Sequence, residues 1–229
     1  MATGSVGAVF VKICGITTEE DALLAAALGA DAVGFVFSAS PRRVSTSLAR
    51  EIARRLPPEI LTVGVFRDEG RERVVEAANR AGLRAVQLHG HESPEDCVWI
   101  RERVPVTIRA FAAGSSGLDR IDAYGADLTL IDSATPGSGQ VFDWQILDGA
   151  PVGRSFILAG GLDPTNVADA IAAVRPWGVD VSSGVESAPG HKDPAKVRAF
   201  VRAARSVPAL DRDEGGEWPY DWQEEGTWR

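Results

Sequence analysis

A lone cysteine stands where the first apolar run of the chain ends, in the stretch VFVKICGIT at residues 9–17. A thiol at such a position can fill a small buried space, bind a metal, sense oxidants or, as a thiolate, remove a proton. Asp132 ends another apolar run, LTLID, at residues 128–132. A carboxyl group that faces the thiol across a bound molecule can supply the matching acid. Cys14 and Asp132 are therefore the candidate acid–base pair, with simple packing of Cys14 as the alternative.

Two stretches of small residues follow later apolar runs and suit an anion. Gly160 and Gly161 occur in LAGGLDP, and Ser182, Ser183 and Gly184 occur in VDVSSGVES. Small residues can expose backbone N–H groups, and GVES could begin a short helix whose amino-terminal end attracts an anion. In many parallel barrels the loops after strands seven and eight bind a phosphate. The pattern favours a phosphorylated substrate, although the glycines could simply permit tight turns.

The remaining polar residues at the ends of runs allow more than one interpretation. Arg42 and Arg43, in SPRRVS, are either surface charges or a guanidinium grip on a carboxylate. His89 and His91 form an H-x-H pair in QLHGHES, but no further histidine lies near a strand end, so we expect no metal site. His89 is better explained as a polar wall of a pocket, and Gln87 as a residue of the layer below it.

The fold must bring these residues together, and the chain alternates regularly between short β-rich runs and helix-like segments. The predicted strands are 10–13 with its neighbours, 32–37, 61–66, 85–88, 106–111, 128–131, 155–159 and 178–181. The predicted helices are 19–28, 46–55, 70–80, 94–103, 118–123, 144–148, 164–174 and 193–204. Pro164 after Asp163, like Pro94 after Ser93, has the cap-then-proline arrangement of a helix start.

Eight strand–helix units in this length predict an α/β fold with a single (β/α)8 TIM barrel. A doubly wound open sheet is the alternative, but no G-x-G-x-x-G follows the first strand. In a barrel, Cys14 and Asp132 lie on opposite walls of one mouth, which favours catalysis over packing for the thiol. A thiolate base needs a site that lowers its pKa. Lys12 alternates with Cys14 onto the same face and is placed to contribute.

Composition narrows the classes of function. The chain has 229 residues, a net charge of −8 and a pI near 5.0, which argues against binding nucleic acid or a membrane surface. Two cysteines are too few for a disulfide framework or a cysteine-based zinc site, and no apolar stretch is long enough to span a bilayer. The first residues lack the features of a signal peptide. We expect a soluble, cytoplasmic protein.

The regular alternation covers residues 9–205, the predicted barrel domain, preceded by an extension at residues 1–8. Residues 206–229 break the pattern and form an acidic tail. It carries half of the chain's six tryptophans, Trp218, Trp222 and Trp228. Such a tail is either loosely ordered or packs its aromatic rings on the barrel or on a neighbouring subunit, and the aromatic content favours packing.

Seven stretches, in this order along the chain, resemble the phosphoribosylanthranilate isomerases of tryptophan biosynthesis. They are VKICGIT, DAVGFVF with SPRRVS, VGVF, VQLHGHE, LIDSATPGSGQVFDW, LAGGLDPTNV and VDVSSGVESAPGHKD. The resemblance runs from about Val9 to Arg205. It implies a cofactor-free barrel enzyme that performs an Amadori rearrangement. The implied reaction turns N-(5-phosphoribosyl)anthranilate into 1-(2-carboxyphenylamino)-1-deoxyribulose 5-phosphate.

The resemblance also implies roles for individual residues. Cys14 would be the general base and Asp132 the general acid, which must carry its proton when the substrate arrives. Arg43, the second arginine of SPRRVS, would hold the anthranilate ring and carboxylate. Asp180 would lie near the substrate. Gln87 and His89, selected above from their place at the end of the fourth predicted strand, complete the substrate-binding set. The phosphate-binding residues would be Gly160, Gly161, Ser182, Ser183 and Gly184.

Two other functions compete with this one. The aldose–ketose isomerase of histidine biosynthesis runs the same rearrangement, but with a site of two aspartates. Here the first strand ends in Cys14, which favours the anthranilate enzyme. A non-catalytic phosphate-ligand-binding barrel would leave Cys14 buried and inert. In each case the partner is a small molecule, not a nucleic acid or a membrane, and the protein is expected to be a monomer or a homodimer.

Overall fold

Eight parallel strands close into a barrel in the computed structural model, which describes residues 9–132 and 156–207. Each strand pairs with the next along the chain, and the eighth returns to the first. The strands are β1 (Phe10–Cys14), β2 (Ala32–Val36), β3 (Leu61–Phe66), β4 (Ala85–Leu88), β5 (Val106–Ala112), β6 (Leu128–Asp132), β7 (Phe156–Leu158) and β8 (Gly178–Val181). The predicted α/β class and the (β/α)8 barrel are confirmed.

Helices follow the strands and cover the outside of the barrel. They are α1 (Glu19–Ala27), α2 (Thr46–Ala53), α3 (Arg71–Ala81), α4 (Pro94–Arg101), α5 (Ile121–Tyr124), α6 (Val167–Val174) and α7 (Pro194–Ser206), with 3-10 turns at Leu118–Arg120 and Ser183–Val185. These helices match the predicted ones to within a few residues. The predicted helix 144–148, the extension 1–8 and, apart from its first two residues, the tail 206–229 lie outside the described residues.

The start of α6 differs from the sequence prediction. The pattern placed Asp163 as the cap and Pro164 as the first helical residue, but α6 begins at Val167. Asp163 Oδ1 accepts hydrogen bonds from the backbone N–H groups of Thr165 and Asn166, at 2.6 and 3.2 Å. These bonds hold a turn ahead of the helix, because an aspartate side chain can satisfy the backbone locally in place of a helical turn.

The loop after β8 also contains structure that the sequence did not predict. The short helix expected from Gly184 onward is a 3-10 turn, Ser183–Val185, and an antiparallel hairpin follows it. The hairpin strands are β9 (Glu186–Ala188) and β10 (His191–Lys192). The hairpin brings two charged side chains, Glu186 and Lys192, back beside the carboxyl end of the barrel, where both are buried.

The barrel interior changes character along its axis. Its amino-terminal part is apolar, and there Phe10 stacks on Trp177 with ring centroids 4.5 Å apart. Side chains on a strand alternate between the two faces, so Phe10, Lys12 and Cys14 of β1 all point inward, at increasing height. Asp180 of β8 is the register partner of Lys12, and both Asp180 and Gln87 of β4 are buried. The barrel therefore ends in a polar layer at its carboxyl mouth.

Candidate active site

A cavity of about 250 Å³ opens at the carboxyl ends of the barrel strands. Nine of the residues selected from the sequence line it: Cys14, Gln87, His89, Asp132, Gly160, Gly161, Asp180, Ser182 and Ser183. Arg42 lines it as well, whereas Arg43 and Gly184 do not. The structure therefore brings nearly all of the predicted site into one place.

A buried ion pair lies directly beneath the thiol. Lys12 Nζ donates a hydrogen bond to Asp180 Oδ1 at 2.9 Å, and the Lys12 side chain has no exposed surface. The two residues are partners in the β1–β8 register, so their side chains enter the barrel side by side. Lys12 also donates a hydrogen bond to Cys14. Gly34 of β2 leaves room for this group, since a Cβ there would lie 2.8 Å from Cys14 Sγ and 3.2 Å from Lys12 Nζ.

The surroundings of Cys14 act on its ionisation in opposite directions. Burial raises the pKa of the thiol above its usual value, and the Asp180 carboxylate adds to that rise. Lys12 and Lys192 favour the thiolate and lower the pKa, because each places a positive charge nearby. Lys12 is the strongest of the influences that lower this pKa, yet it does not outweigh burial. The sequence placed Lys12 correctly but did not indicate that the balance favours the thiol.

A hydrogen-bonded chain supports Asp132 on the opposite wall. His89 Nε2 lies 3.1 Å from Asp132 Oδ2, and the Gln87 amide nitrogen lies 3.0 Å from His89 Nδ1. With this amide orientation Nδ1 accepts, so Nε2 carries the ring proton and donates to Asp132. The His89 side chain is 31% exposed, so it borders the cavity while holding the carboxylate. Asp132, His89 and Gln87 thus act as one unit.

Arg43, which the resemblance assigned to the substrate site, does not line the cavity. Arg43 is exposed and its backbone forms an isolated bridge to Val36 of β2. Arg42 lines the cavity instead, and its Nε and Nη2 donate to the two carboxylate oxygens of Glu186 at 2.7 and 2.6 Å. The bridge fixes the backbone so that Val44 is buried and Arg43 faces solvent. The arginine available to a ligand is therefore Arg42.

Glu186 lies between two cations at this side of the mouth. Lys192 Nζ donates to Glu186 Oε1 at 2.9 Å and to the Ser182 carbonyl oxygen at 3.1 Å. Burial alone would raise the pKa of the Glu186 carboxyl, but the hydrogen bonds from Arg42 and Lys192 outweigh it, and the pKa is lowered. Glu186 therefore holds Arg42 in a fixed orientation at the edge of the cavity.

Gly184 was predicted to bind phosphate, but its place is behind the cavity wall. A Cβ at Gly184 would lie 2.0 Å from the Leu162 carbonyl oxygen, so only glycine lets the loops after β7 and β8 meet. The loop after β7 is braced by Asn166, whose Nδ2 donates to the Gly161 carbonyl oxygen at 2.9 Å. The two loops form one continuous wall, with Gly160, Gly161, Ser182 and Ser183 facing the cavity.

Three functional-site neighbours, Glu186, Lys192 and Asn166, were missed by sequence reasoning. All three follow the last two strands of the barrel, but in a single sequence they cannot be told from ordinary surface polar residues. His91 is not part of the site: its side chain is 86% exposed and contacts Asp68. Within residues 9–132 and 156–207, no three His, Cys, Asp or Glu side chains cluster as a metal site would need.

A larger groove of about 730 Å³ lies outside the barrel over α1, α2 and α3, and its lining includes Arg50, Arg54, Arg55 and Arg80. None of its lining residues belongs to the predicted site.

In the described part of the chain, no helix combines the length and apolarity needed to cross a membrane.

Comparison with known proteins points to one family. The family model described as N-(5'phosphoribosyl)anthranilate (PRA) isomerase matches residues 11–203. N-(5'-phosphoribosyl)anthranilate isomerase from Desulforudis audaxviator is 52% identical over 204 residues, covering 86% of this chain and 98% of that protein.

Two solved structures are similar over nearly the same region. Phosphoribosyl anthranilate isomerase from Thermotoga maritima has a TM-score of 0.81 and 44% identity, covering 87% of this chain and all (100%) of that one. A phosphoribosyl anthranilate isomerase in complex with reduced 1-(o-carboxyphenylamino)-1-deoxyribulose 5-phosphate has a TM-score of 0.78 and 42% identity, with 87% and 100% coverage.

The cation beside the thiol can be tested by replacing Lys12 with methionine. Lys12→Met removes the strongest influence that lowers the pKa of Cys14, so the thiolate should form only at higher pH. Each unit of increase in that pKa reduces the thiolate fraction, and hence the rate of alkylation below the midpoint, about tenfold. The rate of iodoacetamide labelling of the Cys14 peptide, followed by mass spectrometry across pH, measures this.

Arg198→Met is the matched control, because Arg198 is an exposed cation on α7 that does not line the cavity. It should leave the labelling profile of Cys14 unchanged. A midpoint for Lys12→Met at or below that of the wild type would contradict the assignment.

Proposed function

The chain belongs to the N-(5'-phosphoribosyl)anthranilate isomerase family, and we propose that it converts N-(5-phosphoribosyl)anthranilate to 1-(2-carboxyphenylamino)-1-deoxyribulose 5-phosphate. This Amadori rearrangement is an aldose–ketose isomerisation in tryptophan biosynthesis. The observation that carries the proposal is the placement of Cys14 and Asp132 in one cavity with the two small-residue loops. Their strands, β1 and β6, are not neighbours in the barrel, so a ligand can lie between the two side chains.

The substrate's two anionic ends have separate binding partners in this proposal. The phosphate binds the wall formed by Gly160, Gly161, Ser182 and Ser183, where small residues allow close approach to the backbone. The anthranilate carboxylate binds Arg42, whose planar guanidinium suits a carboxylate. Because Glu186 already fixes Arg42, little side-chain freedom is lost when the ligand binds.

The first chemical step opens the furanose ring. Asp132 gives a proton to the ring oxygen, the bond from that oxygen to C1 breaks, and the nitrogen lone pair forms a protonated imine. His89 holds the Asp132 carboxyl group in place through the 3.1 Å contact. When the proton lies on Asp132 Oδ2, His89 Nε2 becomes the acceptor and Nδ1 the donor. The Gln87 amide can accept the hydrogen bond from Nδ1–H if it rotates to present Oε1, which is buried and has no hydrogen-bond partner among the described residues.

The second step removes the proton from C2. The thiolate of Cys14 takes it, and the electron pair of the C–H bond moves towards the imine to give an enolamine. The protonated imine places a new positive charge near the sulfur, which favours the thiolate against the effect of burial. The enolamine then loses its hydroxyl proton and gains one at C1, which yields the ketose. Protons balance over the cycle, once the proton on Cys14 is exchanged and Asp132 is reloaded.

The route uses only proton transfers, so the proposal includes no cofactor and no metal. Asp180 acts chiefly by holding Lys12 beside the thiol, and it lies in the cavity wall near the substrate. A cytoplasmic location and a monomeric or homodimeric state remain predictions from the sequence.

Removing either proton-transfer group should abolish turnover while leaving binding in place. Cys14→Ala and Asp132→Asn are each expected to lower kcat by about 10²-fold or more, since each group acts in the transition state. The loss of phosphoribosylanthranilate fluorescence measures turnover, and titration of the reduced product analogue measures binding. Near-normal turnover in either variant would contradict the assignment.

The wild-type kcat should rise with pH as the thiolate of Cys14 forms, because the active form of the base is the deprotonated one.

Arg42 and Arg43 provide a paired test of carboxylate binding. Arg42→Ala should raise KM by about tenfold or more, because a charge-assisted bidentate contact is lost, and Arg43→Ala should leave KM unchanged. Steady-state kinetics on the two variants gives both values. If Arg43→Ala raised KM and Arg42→Ala did not, the carboxylate would bind on the other side of this loop.

A further inference from the structure

A further buried ion pair lies just behind the loop that carries His89. Arg109 of β5 and Glu92 after β4 approach to 3.1 Å, with side chains only 5% and 4% exposed. Arg109 faces outward from the barrel, because Ile108 and Ala110 on either side of it belong to the interior cluster. Neither residue lines the cavity. The proton transfers described above leave this pair without a role.

The bonds of the pair converge on the backbone around His89. Arg109 donates to the carbonyl oxygens of Leu88 at 2.8 Å and Gly90 at 2.9 Å, the residues immediately before and after His89. Glu92 Oε2 accepts from the Gly90 N–H at 2.9 Å. The backbone on either side of His89 is therefore held by the pair: Arg109 bonds two carbonyl groups, and Glu92 bonds an N–H group.

The pair is itself held by neighbouring elements. Glu92 Oε1 accepts from the Asp68 N–H at 3.0 Å, which ties it to the loop after β3. The guanidinium of Arg109 lies 5.1 Å from the ring centres of both Phe111 and Tyr124. These contacts leave Arg109 little freedom to move, so the position of the loop is set by rigid elements of the barrel.

Stability alone does not explain this pair. Apolar residues of similar volume often stabilise a protein as well as a buried ion pair does, because taking two charges out of water is costly. The bonds here go mainly to one loop backbone, and that loop carries His89, whose Nε2 bonds Asp132 Oδ2 in the cavity.

We propose that Arg109 and Glu92 are positioning residues for the general acid: they fix the loop at Leu88–Gly90, and thereby hold His89 against Asp132. This inference rests on the proposed function of Asp132. An imidazole displaced by a fraction of an ångström would present Asp132 in the wrong orientation to the ring oxygen. Such displacements cost rate without loss of binding, because the groups that bind the carboxylate and phosphate lie on other loops.

The test is a double-mutant cycle between Arg109 and His89. Arg109→Met should lower kcat by about tenfold or more while KM for phosphoribosylanthranilate changes by less than about twofold. In a His89→Ala background, Arg109→Met should change kcat by less than about twofold, because its effect passes through the imidazole. Arg109→Lys, which keeps the charge, should recover part of the rate.

Arg205→Met is the matched control. Arg205 also binds one carboxylate, Asp31 Oδ2 at 2.7 Å, and two carbonyl groups, of Gly29 and Val9, but at the amino-terminal end of the barrel. It should lower stability to urea without changing the kcat of the folded enzyme. If Arg109→Met does not fold, Glu92→Gln takes its place in the double-mutant cycle with His89→Ala.

The outcomes separate the two proposals. A wild-type enzyme that does not turn over phosphoribosylanthranilate would overturn the proposed function itself. A wild type that turns over normally, with losses from Arg109→Met and His89→Ala that simply add, would overturn only the positioning role. A pH profile of kcat for Arg109→Met that moves towards that of His89→Ala would support it, since a purely structural pair would leave the profile in place.

Discussion

The buried hydrogen-bonded ion pair of Lys12 and Asp180 is the interaction on which the rest of the site depends. An unpaired ammonium group inside the barrel would destabilise the fold by several kcal/mol. Lys12 is tolerated there because Asp180, its register partner on the neighbouring strand β8, pairs with it. Two residues further along β1 the same alternation brings Cys14 to the mouth. Barrel closure, which pairs β8 with β1, therefore puts a cation directly beside the thiol.

Three functional side chains at the mouth each have a charged or polar neighbour that limits their freedom. Cys14 has Lys12, Arg42 has Glu186, and Asp132 has His89. Lys12 lies two residues before Cys14 on the same strand, whereas 144 residues separate Arg42 from Glu186 and 43 separate His89 from Asp132. The groups that would bind and react with a substrate are thus oriented before it arrives, which reduces the ordering needed in the transition state.

The sequence predicted what depends on local pattern. Strand periodicity and the position at which each run ends placed Cys14 and Asp132 at one barrel mouth, and the structure brings them into one cavity. The sequence could not show that Arg42 rather than Arg43 lines the cavity, because a single backbone bridge to Val36 decides which arginine faces inward. Glu186 and the Arg109–Glu92 pair could not be predicted, since their importance lies in contacts that exist only after the chain folds.

The central claim is that Cys14 removes the C2 proton while Asp132 serves the ring oxygen from the opposite side. A crystal structure of this protein with the reduced product analogue tests it most directly. The account predicts Cys14 Sγ at about 3–3.5 Å from C2, Asp132 on the other side of the sugar, and the phosphate against the Gly160 and Ser182 loops. A ligand bound with C2 beyond the reach of Sγ, or with Asp132 and Cys14 on the same side, would contradict the account.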